Sequence, residues 1–444
     1  SVKSMNRSAV MSKLLAGLLL VACATPLMAA PPDAEYLVWE QHWTRDADGA
    51  VTYYEKQHVQ LNNDRAYHDF VDPRLTYNAA TDELEIITAR VKRPNGEYVG
   101  LPDYAHVEVS PSGTAGWPVL ANIRQHLLVM SGIEPGCVVE LEYKIRSKPG
   151  ARPVMAADVR LDDRYPVKQR IVGFTVPDGT AVTPVLMNVD GVPASNSANA
   201  TNGQTSKRWT IGPLEATPVE PGQPNWHTWR PRFAFSTAPD AGKWLRQTLD
   251  RVEGASHESE LIVRLAGEWT KDCFEPADKL RAIQEKLAAT FNFLEPRADW
   301  CPYSVRSADE TLRSNHGLPE ESAALFLALA RAAGVAVRPG IVIDGDSWLD
   351  EAPQRSLVQN YVLVLEDATR GQVWDAHDGR VVRGARAATK AVLSVGPRGL
   401  ERTSLSEPGD SRCQVSGTVS VGKDGKLSGE LTVRTSGLFV SEET

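Results

Sequence analysis

The fold is decided by the stretch Gly317-Leu-Pro-Glu-Glu-Ser-Ala-Ala-Leu-Phe-Leu-Ala-Leu-Ala-Arg-Ala-Ala-Gly334. Pro319 suits the first helical position, where the N–H that proline lacks would have no partner. Glu320 and Glu321 follow, and acidic side chains are favourable near the positive end of a helix. No charge occurs between Glu321 and Arg331, and a helix that is apolar all round belongs in a core. The stretch therefore predicts a buried helix that ends at a glycine.

The surrounding segments extend this helix into an α+β domain. The β-branched run Val335–Ile343 predicts a strand directly after it. Helical spacing of apolar residues precedes the stretch, and short strands follow it. Helices are predicted over 243–252, 256–270, 276–287 and 308–314, and further strands over 361–365 and 372–375. Helices followed by antiparallel strands indicate an α+β domain, which we place at 242–395.

The N-terminal part is rich in short strands. They are predicted over 36–43, 52–59, 84–91, 138–145, 167–176 and 181–187. Turn residues separate them at regular intervals, which favours an all-β, sandwich-like domain over 31–217. The polar segment Gly191–Lys207 is interpreted as a surface loop, and 218–241 as a Pro- and Trp-rich linker packed at a domain junction.

A C-terminal β segment is predicted over 396–444. Residues 414–421 and 426–434 alternate apolar and polar side chains about a turn at Lys423-Asp-Gly425. Because a lone hairpin is only marginally stable, we expect this segment to be incomplete or to pack on another domain.

Composition limits the partners and cofactors. The 444 residues carry a net charge of −8 without a long basic run, which argues against nucleic acid as a partner. The sequence has no zinc-ligand spacing, phosphate-binding glycine loop or serine elbow, so we predict neither a metal nor a cofactor. The acidic loop 344–351 has carboxylates but not a full calcium-ligand pattern, which favours a solvated loop.

Residues 1–30 have the composition of a secretory signal peptide. Three basic residues (Lys3, Arg7, Lys13) precede an apolar run, 14–22, that is too short to span a bilayer. The start is Met5 or Met11. Two processing routes are open: lipidation of Cys23 in a lipobox-like context, or cleavage after Ala29. Both predict an exported protein, either periplasmic or anchored to the membrane by its lipid.

Four cysteines remain after the signal peptide: Cys137, Cys273, Cys301 and Cys413. In an oxidising compartment they allow three pairings. Cys273 and Cys301 flank one predicted helix and are the preferred disulfide pair. Four buried free thiols are the alternative.

Two stretches carry family resemblances. The glycine, acidic helix start and Ala/Leu-rich turns of 317–334 resemble the nucleophile helix of bacterial transglutaminase-like domains, which have a papain-like cysteine protease fold, and the likeness extends over about 243–390. Residues 89–96 and 133–143 resemble the β-rich domain of unknown function that commonly precedes such cores in exported bacterial proteins, over about 35–215. The second resemblance implies no known activity.

The transglutaminase-like resemblance implies a Cys-His-Asp triad, and this chain departs from it. The position of the cysteine is occupied by Pro319, and that of the histidine, after Asn360, by Tyr361. Asp375 matches the aspartate. Proline offers no nucleophile, and tyrosine is a poor base at neutral pH because its pKa is about 10. The resemblance thus implies a fold whose triad is not intact.

Three functional hypotheses follow. The first is a catalytically inactive exported protein that binds or scaffolds a protein, peptide or glycan in the cell envelope. The second is an active cysteine peptidase or acyltransferase in which Cys301 replaces the nucleophile, with His316 or His377 as its base. The competing interpretation is that Cys301 forms a disulfide or is a buried thiol, and that the two histidines lie on the surface. In the third, the β domains act and the helical core is a spacer.

Overall fold

The computed structural model describes residues 31–191, 196–200, 203–238, 240–366, 373–377, 389–405 and 412–436. The predicted signal peptide, including Cys23 and Ala29, lies outside these residues. The fold is multidomain, with a β-rich N-terminal region, a central core of helices and strands, and a C-terminal pair of strands, as the sequence predicts.

The N-terminal region contains fourteen described strands and one short helix. The strands are β1 Ala34–Arg45, β2 Val51–Leu61, β3 Arg74–Asn78, β4 Asp82–Lys92, β5 Tyr98–Gly100, β6 His106–Val109, β7 Ile123–Leu128, β8 Cys137–Ser147, β9 Ala156–Arg160, β10 Arg170–Pro177, β11 Val185–Met187, β12 Asn196–Ala200, β13 Gln204–Ile211 and β14 Arg232–Ser236. The helix is α1 Tyr67–Phe70. The predicted first hairpin is confirmed as β1 and β2, which pair antiparallel over their whole length.

Three sheets divide these strands. The largest has the order β12-β13-β10-β1-β2-β8-β4-β5, and two smaller sheets have the orders β11-β14-β9 and β3-β7-β6. Large aromatic side chains join the first sheet to the second, with ring centroids 4.8 Å apart for Phe174 and Phe235 and 5.3 Å apart for Trp209 and Phe233. Two sheets packed through inward-facing aromatics form the sandwich-like layers that the sequence predicts.

Two loop assignments were wrong. The segment Gly191–Lys207 contains β12 and part of β13, which pair antiparallel, while 192–195 and 201–202 lie outside the described residues. Its polar composition is typical of loops, but an outer strand can pair through its backbone alone. The expected linker 218–241 contains β14, whose five residues are all buried in the middle of a sheet. The Pro- and Trp-rich residues before it concealed this strand.

The central region combines five helices with a five-stranded sheet. The helices are α2 Ala241–Ala255, α3 Glu260–Trp269, α4 Pro276–Thr290, α5 Ala308–Ser314 and α6 Pro319–Ala332. The strands are β15 Asn292–Phe293, β16 His316–Gly317, β17 Val337–Asp344, β18 Val358–Leu365, β19 Val373–Asp375, β20 Lys390–Gly396 and β21 Gly399–Ser404. The main sheet has the order β19-β18-β17-β20-β21 with antiparallel pairing throughout. It continues past residue 395, where we expected the domain to end.

Helix α6 lies at the centre of this region, as predicted. Every residue from Glu320 to Ala330 is buried, and the helix contacts α2, α3, α4, α5, β17 and β18. Gly334 has φ +75° just after the helix, the left-handed conformation that favours glycine at this position. Each fully buried Leu or Phe contributes on the order of 1.5–3 kcal/mol, so the helix organises the core through burial.

The C-terminal hairpin has an exposed apolar face. Its strands are β22 Arg412–Val421 and β23 Leu427–Ser436, which confirms the predicted hairpin. Val415, Val419 and Leu431 lie on one face and are each about half exposed or more. In the described part of the chain, no helix has the length and apolarity needed to cross a bilayer.

Candidate functional site

The N-terminus of α6 carries a buried carboxylate held by three partners. Glu320 Oε1 accepts a hydrogen bond from the Tyr361 hydroxyl at 2.6 Å. The same oxygen lies 3.2 Å from Arg355 Nε and 3.4 Å from an Arg251 terminal nitrogen. The Glu320 residue is 1% exposed. A buried charge is tolerated when it is paired and hydrogen-bonded, and these contacts supply both conditions at Oε1.

Burial next to this carboxylate changes the chemistry of Tyr361. Loss of solvent, followed by the negative charge of Glu320, raises the pKa of the tyrosine hydroxyl well above its usual value of 10. The hydroxyl is therefore protonated at neutral pH and donates to Glu320. A group in this state cannot accept a proton as a general base must.

The next carboxylate has its own arginine. Arg306 makes a two-pronged ion pair with Glu321, with Nε to Oε1 at 2.8 Å and a terminal nitrogen to Oε2 at 2.7 Å. Glu321 Oε2 also accepts the backbone N–H of Leu318 at 2.9 Å, which satisfies a donor at the helix start. Sequence reasoning treated both glutamates as ordinary helix-start residues. Their arginine partners come from distant segments, and nothing in their spacing signals the contacts.

The three positions that match the family triad lie on neighbouring elements. Pro319 is the first residue of α6, Tyr361 lies on β18, and Asp375 ends β19. Asp375 pairs with Val362, the residue after Tyr361, in the β18–β19 register. Asp375 accepts hydrogen bonds from the side-chain amide of Asn360 and, at 2.7 Å, from the backbone N–H of His377. Of these three positions, the one matched to the aspartate holds Asp375, while those matched to the cysteine and the histidine hold Pro319 and Tyr361.

Cys301 is a buried free thiol. The preferred Cys273–Cys301 disulfide is wrong for this structure, because both cysteines are free. The Cys301 residue is 7% exposed and packs in an apolar cluster with Leu120, Ile123 and Leu318. This burial raises the pKa of the Cys301 thiol to about 11, since the charged thiolate is poorly solvated there. The two cysteines lie on either side of one helix in the sequence, but this position does not bring them together as a disulfide.

The two candidate histidines have other partners. His316 is buried, contrary to the surface position expected under the competing interpretation, with Nδ1 2.8 Å from the Ser314 carbonyl oxygen. His377 stacks on Phe293 with ring centroids 4.8 Å apart. The hydrogen bond described for the Cys301 sulfur goes to the Arg297 carbonyl oxygen, at 3.6 Å. The structure therefore places neither histidine in hydrogen-bond contact with this thiol.

Two carboxylates of the acidic loop accept hydrogen bonds within the protein. Asp344 accepts the backbone N–H of Asp346 at 3.0 Å, and Asp350 accepts the indole N–H of Trp348 at 2.7 Å. Within the residues the structure describes, no group of three or more His, Cys, Asp or Glu side chains is arranged to hold a metal ion.

A cavity of about 810 Å³ lies between the β-rich region and the core. On the β-rich side it is lined by parts of β1, β2, β3, β4, β7, β8 and β9 and by residues between 150 and 154. On the core side it is lined by 297–304 and 354–356. Arg355 and Cys301 belong to the wall, so the cavity reaches the residues next to the Glu320 cluster. Its volume is within the range of about 300–1,000 Å³ that is usual for ligand sites. Sequence reasoning missed this cavity because its two walls are far apart in the chain.

Comparison with known proteins defines the two parts of the chain. A model of the domain of unknown function DUF3857 matches residues 47–218, and a model of the transglutaminase-like superfamily core matches residues 263–378. No curated protein has a significant match. The first match lies in the β-rich region, and the second lies in the core, where a buried helix packs on an antiparallel sheet. The chain contains a DUF3857 domain followed by a core of the transglutaminase-like superfamily.

One of the solved structures compared here has the same fold as this chain. A candidate protease from Parabacteroides distasonis is 24% identical with a TM-score of 0.74, covering 84% of this chain and 72% of that one. A candidate cysteine protease from Cytophaga hutchinsonii is 11% identical with a TM-score of 0.23, covering 66% of this chain and 90% of that one. An M1 zinc metallopeptidase from Deinococcus radiodurans is 11% identical with a TM-score of 0.21, covering 47% of this chain and 44% of that one. The last two are too dissimilar to support an argument.

Proposed function

We propose that this protein is a catalytically inactive, transglutaminase-like binding or scaffolding protein of the bacterial cell envelope. The observation that carries the proposal is the Glu320 cluster. A thioester mechanism requires a reactive thiol at the helix start and a histidine that exchanges protons with it. Here the helix starts with Pro319, and the position matching the histidine holds Tyr361, whose hydroxyl donates to Glu320.

The cluster supports a retained scaffold. Arg355 connects Glu320 to the cavity wall, because its Nη1 donates to the carbonyl oxygens of Cys301 and Pro302 at 3.0 and 2.9 Å. Tyr303 lies under the guanidinium groups of Arg251 and Arg355, with distances of 5.5 and 5.1 Å to the ring centroid. Such cation–π contacts add to the ion pairs. The contacts around Glu320 thus connect the start of α6 to the cavity wall and to strand β18.

The alternative, an active enzyme with Cys301 as nucleophile, is favoured by one observation. Cys301 is a free thiol in the wall of the cavity. A nucleophilic cysteine normally has a lowered pKa from a positive neighbour or a helix N-terminus. Burial acts in the opposite direction here, because it raises the pKa of Cys301 despite the positive charge of Arg355. We therefore rank this alternative second.

Turnover assays distinguish the two functions. The full chain is incubated with an acyl-acceptor amine and a mixture of Gln-containing peptides, and both ammonia release and peptide cleavage are followed. The proposal expects wild type and Cys301→Ser to remain at the buffer rate. Turnover that Cys301→Ser abolishes would establish Cys301 as the relocated nucleophile. Turnover that persists in Cys301→Ser would also contradict the proposal, because another residue would then carry the reaction.

The envelope location rests on the N-terminal sequence. We propose export directed by residues 1–30, followed by either lipidation of Cys23 or cleavage after Ala29. Intact mass of the mature protein separates these routes, because a lipid adds a large, defined mass at Cys23. A mature chain that retains residues 1–30 in the cytoplasm would contradict export.

A further inference from the structure

Strand β3 has an unpaired edge that faces the cavity. It is the outer strand of the sheet β3-β7-β6. All five of its residues, from Arg74 to Asn78, line the cavity. A strand that presents a face to a cavity contributes alternate residues, because successive side chains point in opposite directions. The cavity contacts one face of this sheet, because Gln125 of β7 also lines it, and from the five consecutive β3 residues we infer that it extends around the backbone edge of β3.

The register identifies which backbone groups are available. Leu128 N–H donates to the Pro73 carbonyl oxygen at 3.1 Å, and Ala79 N–H donates to the Asn122 carbonyl oxygen at 2.8 Å. With the β3–β7 register, these bonds assign the odd-numbered residues of β3 to pairing with β7. The N–H and C=O groups of Arg74 and Thr76 consequently point away from β7, and among the described residues they have no hydrogen-bond partner. Asn78 N–H is already used by Asp82, at 3.2 Å.

The charges on the cavity wall are already neutralised. Four arginines line the cavity, and each has a carboxylate partner. The pairs are Arg74–Asp72 at 3.3 Å, Arg152–Asp82 at 2.9 Å, Arg297–Asp299 at 3.1 Å and Arg355–Glu320 at 3.2 Å. A site built for an anion leaves cationic donors free for it. The pairing therefore favours an uncharged occupant.

Aromatic side chains lie on both walls. Trp43, Tyr53 and Tyr143 come from the β-rich region, while Trp300 and Tyr303 come from the core. The buried carboxylate of Glu55 accepts the Tyr53 and Tyr143 hydroxyls at 2.9 and 2.5 Å, which fixes both rings in place. Rigid aromatic walls offer contact area to the side chains of a ligand at low entropic cost.

We propose that the free edge of β3 binds an extended, uncharged polypeptide segment as an added strand inside this cavity. Strand addition obtains its affinity from backbone hydrogen bonds and its selectivity from the surfaces that receive alternate side chains. The outward groups of Arg74 and Thr76 are two residues apart, about 6.6–6.8 Å, which matches the repeat of a strand. A neutral oligosaccharide could use the aromatic walls, but it would not reproduce that repeat. The proposal goes beyond loss of catalysis and stands whether or not the core is active.

Matched peptides test the backbone contribution. The probe is the capped hexapeptide acetyl-Val-Thr-Val-Thr-Val-Thr-amide, titrated calorimetrically into the full chain. Two analogues carry N-methyl groups on alternate residues. One is methylated at the odd-numbered residues of the peptide and the other at the even-numbered residues, so each loses one set, or frame, of backbone N–H donors and keeps all its side chains. We expect the parent peptide to bind and the analogue methylated in the edge-facing frame to bind at least about tenfold more weakly, as loss of one to two hydrogen bonds predicts.

Two protein variants test the edge itself. Thr76→Pro removes the outward N–H without removing a β3–β7 hydrogen bond, and proline is tolerated at such edge positions. Thr76→Ala is the matched control, since both variants lose the contact of the Thr76 hydroxyl with Gln125 Nε2. We expect weaker binding by at least about tenfold for Thr76→Pro relative to Thr76→Ala.

Three results would overturn the proposal. They are equal binding of the parent peptide and both analogues, absence of peptide binding at millimolar concentration, and binding of a neutral chitotetraose in place of the peptide. The peptide analogues are titrated into the wild-type chain. They therefore decide the proposal even if the Thr76→Pro variant does not fold.

Discussion

At the scale of single residues, the proposal of an inactive core depends on a buried tyrosine–glutamate pair. Tyr361 donates to Glu320 at 2.6 Å, and Arg355 and Arg251 contact the same oxygen. The sequence predicts Tyr361 at the histidine-matching position, because Asn360 precedes it as the resemblance leads us to expect. It did not reveal Glu320 as the partner, since hydrogen bonds across the fold leave no local pattern.

Removing the Tyr361 hydroxyl is expected to destabilise the fold. Tyr361→Phe deletes a hydrogen bond to a buried charged group, which is worth about 1.5–3 kcal/mol in the free energy of unfolding. Urea unfolding measures the loss. The control is Tyr104→Phe at a residue that is 85% exposed, where we expect a change within about 0.5 kcal/mol. Equal stability of the two variants would show that the Tyr361–Glu320 bond contributes nothing.

Cys301 is expected to react slowly with alkylating reagents. A thiol pKa of about 11 lowers the thiolate fraction at pH 8 by about 100-fold relative to an unperturbed cysteine. Exposed Cys413 is the internal reference. We expect peptide mapping after iodoacetamide treatment to show Cys301 labelled at least about 100-fold more slowly than Cys413. Comparable rates would place Cys301 in a reactive environment and favour the alternative enzyme.

At the scale of elements, the apolar pattern predicted α6 well and the polar segments poorly. An eighteen-residue stretch with caps at both ends and no interior charge has one stable location, the core. Strands β12 and β14 were missed for physical reasons. The residues of β12 are small and polar, and those of β14 follow a proline-rich segment. Strand β12 pairs with the adjacent strand β13, but its side chains lack the apolar alternation that signals a hairpin. Strand β14 pairs with β9 and β11, which lie elsewhere in the chain, and local sequence does not encode that pairing.

Mutations separate the contribution of the first residue of α6 to stability from that of its buried face. Leu327→Ala leaves a cavity at a fully buried position and should cost about 2–5 kcal/mol. Pro319→Ala, at the first helical residue, should cost about 1 kcal/mol or less, because alanine also fits this position and the loss is mainly chain entropy. Denaturant unfolding compares them. A larger cost for Pro319→Ala would mean that the proline, and not the buried face, maintains the helix.

At the scale of the whole molecule, buried polar contacts join the β-rich region to the core. Arg232 on β14 binds Asp158 through Nε at 2.6 Å and reaches the Ser347 carbonyl oxygen at 2.6 Å. Gln354 Nε2 donates to the Ala157 carbonyl oxygen at 3.1 Å. These contacts connect the two walls of the cavity and fix the position of one wall relative to the other. Neither the contacts nor the cavity could be predicted, because every partner is more than 70 residues away in sequence.

Several buried tyrosines predict alkaline instability of the whole chain. Burial, with nearby negative charge, raises the pKa values of Tyr53, Tyr143 and Tyr361 well above 10. Above pH 10 the unfolded chain loses these protons while the folded chain keeps them, so stability is present below pH 10 and falls as pH rises. Each tyrosine adds about 1.4 kcal/mol per pH unit to the slope.

Unfolding midpoints measured between pH 9 and pH 11 test this dependence. We expect Tyr361→Phe to reduce the downward slope above pH 10 by about 1.4 kcal/mol per pH unit, since one linked proton is removed. The exposed-site variant Tyr104→Phe should retain the wild-type slope. An unchanged slope in Tyr361→Phe would show that this hydroxyl ionises equally in the folded and unfolded chains.

If the proposed function is right, the core forms no covalent acyl intermediate. The most direct measurement is the intact mass of the wild-type chain after reaction with an activated acyl donor peptide at neutral pH, followed by mapping of any modified residue. We expect an unchanged mass, because the position that we match to the family nucleophile holds Pro319 and burial raises the pKa of the Cys301 thiol to about 11. A mass increase that maps to a thioester on Cys301, and disappears in Cys301→Ser, would contradict it.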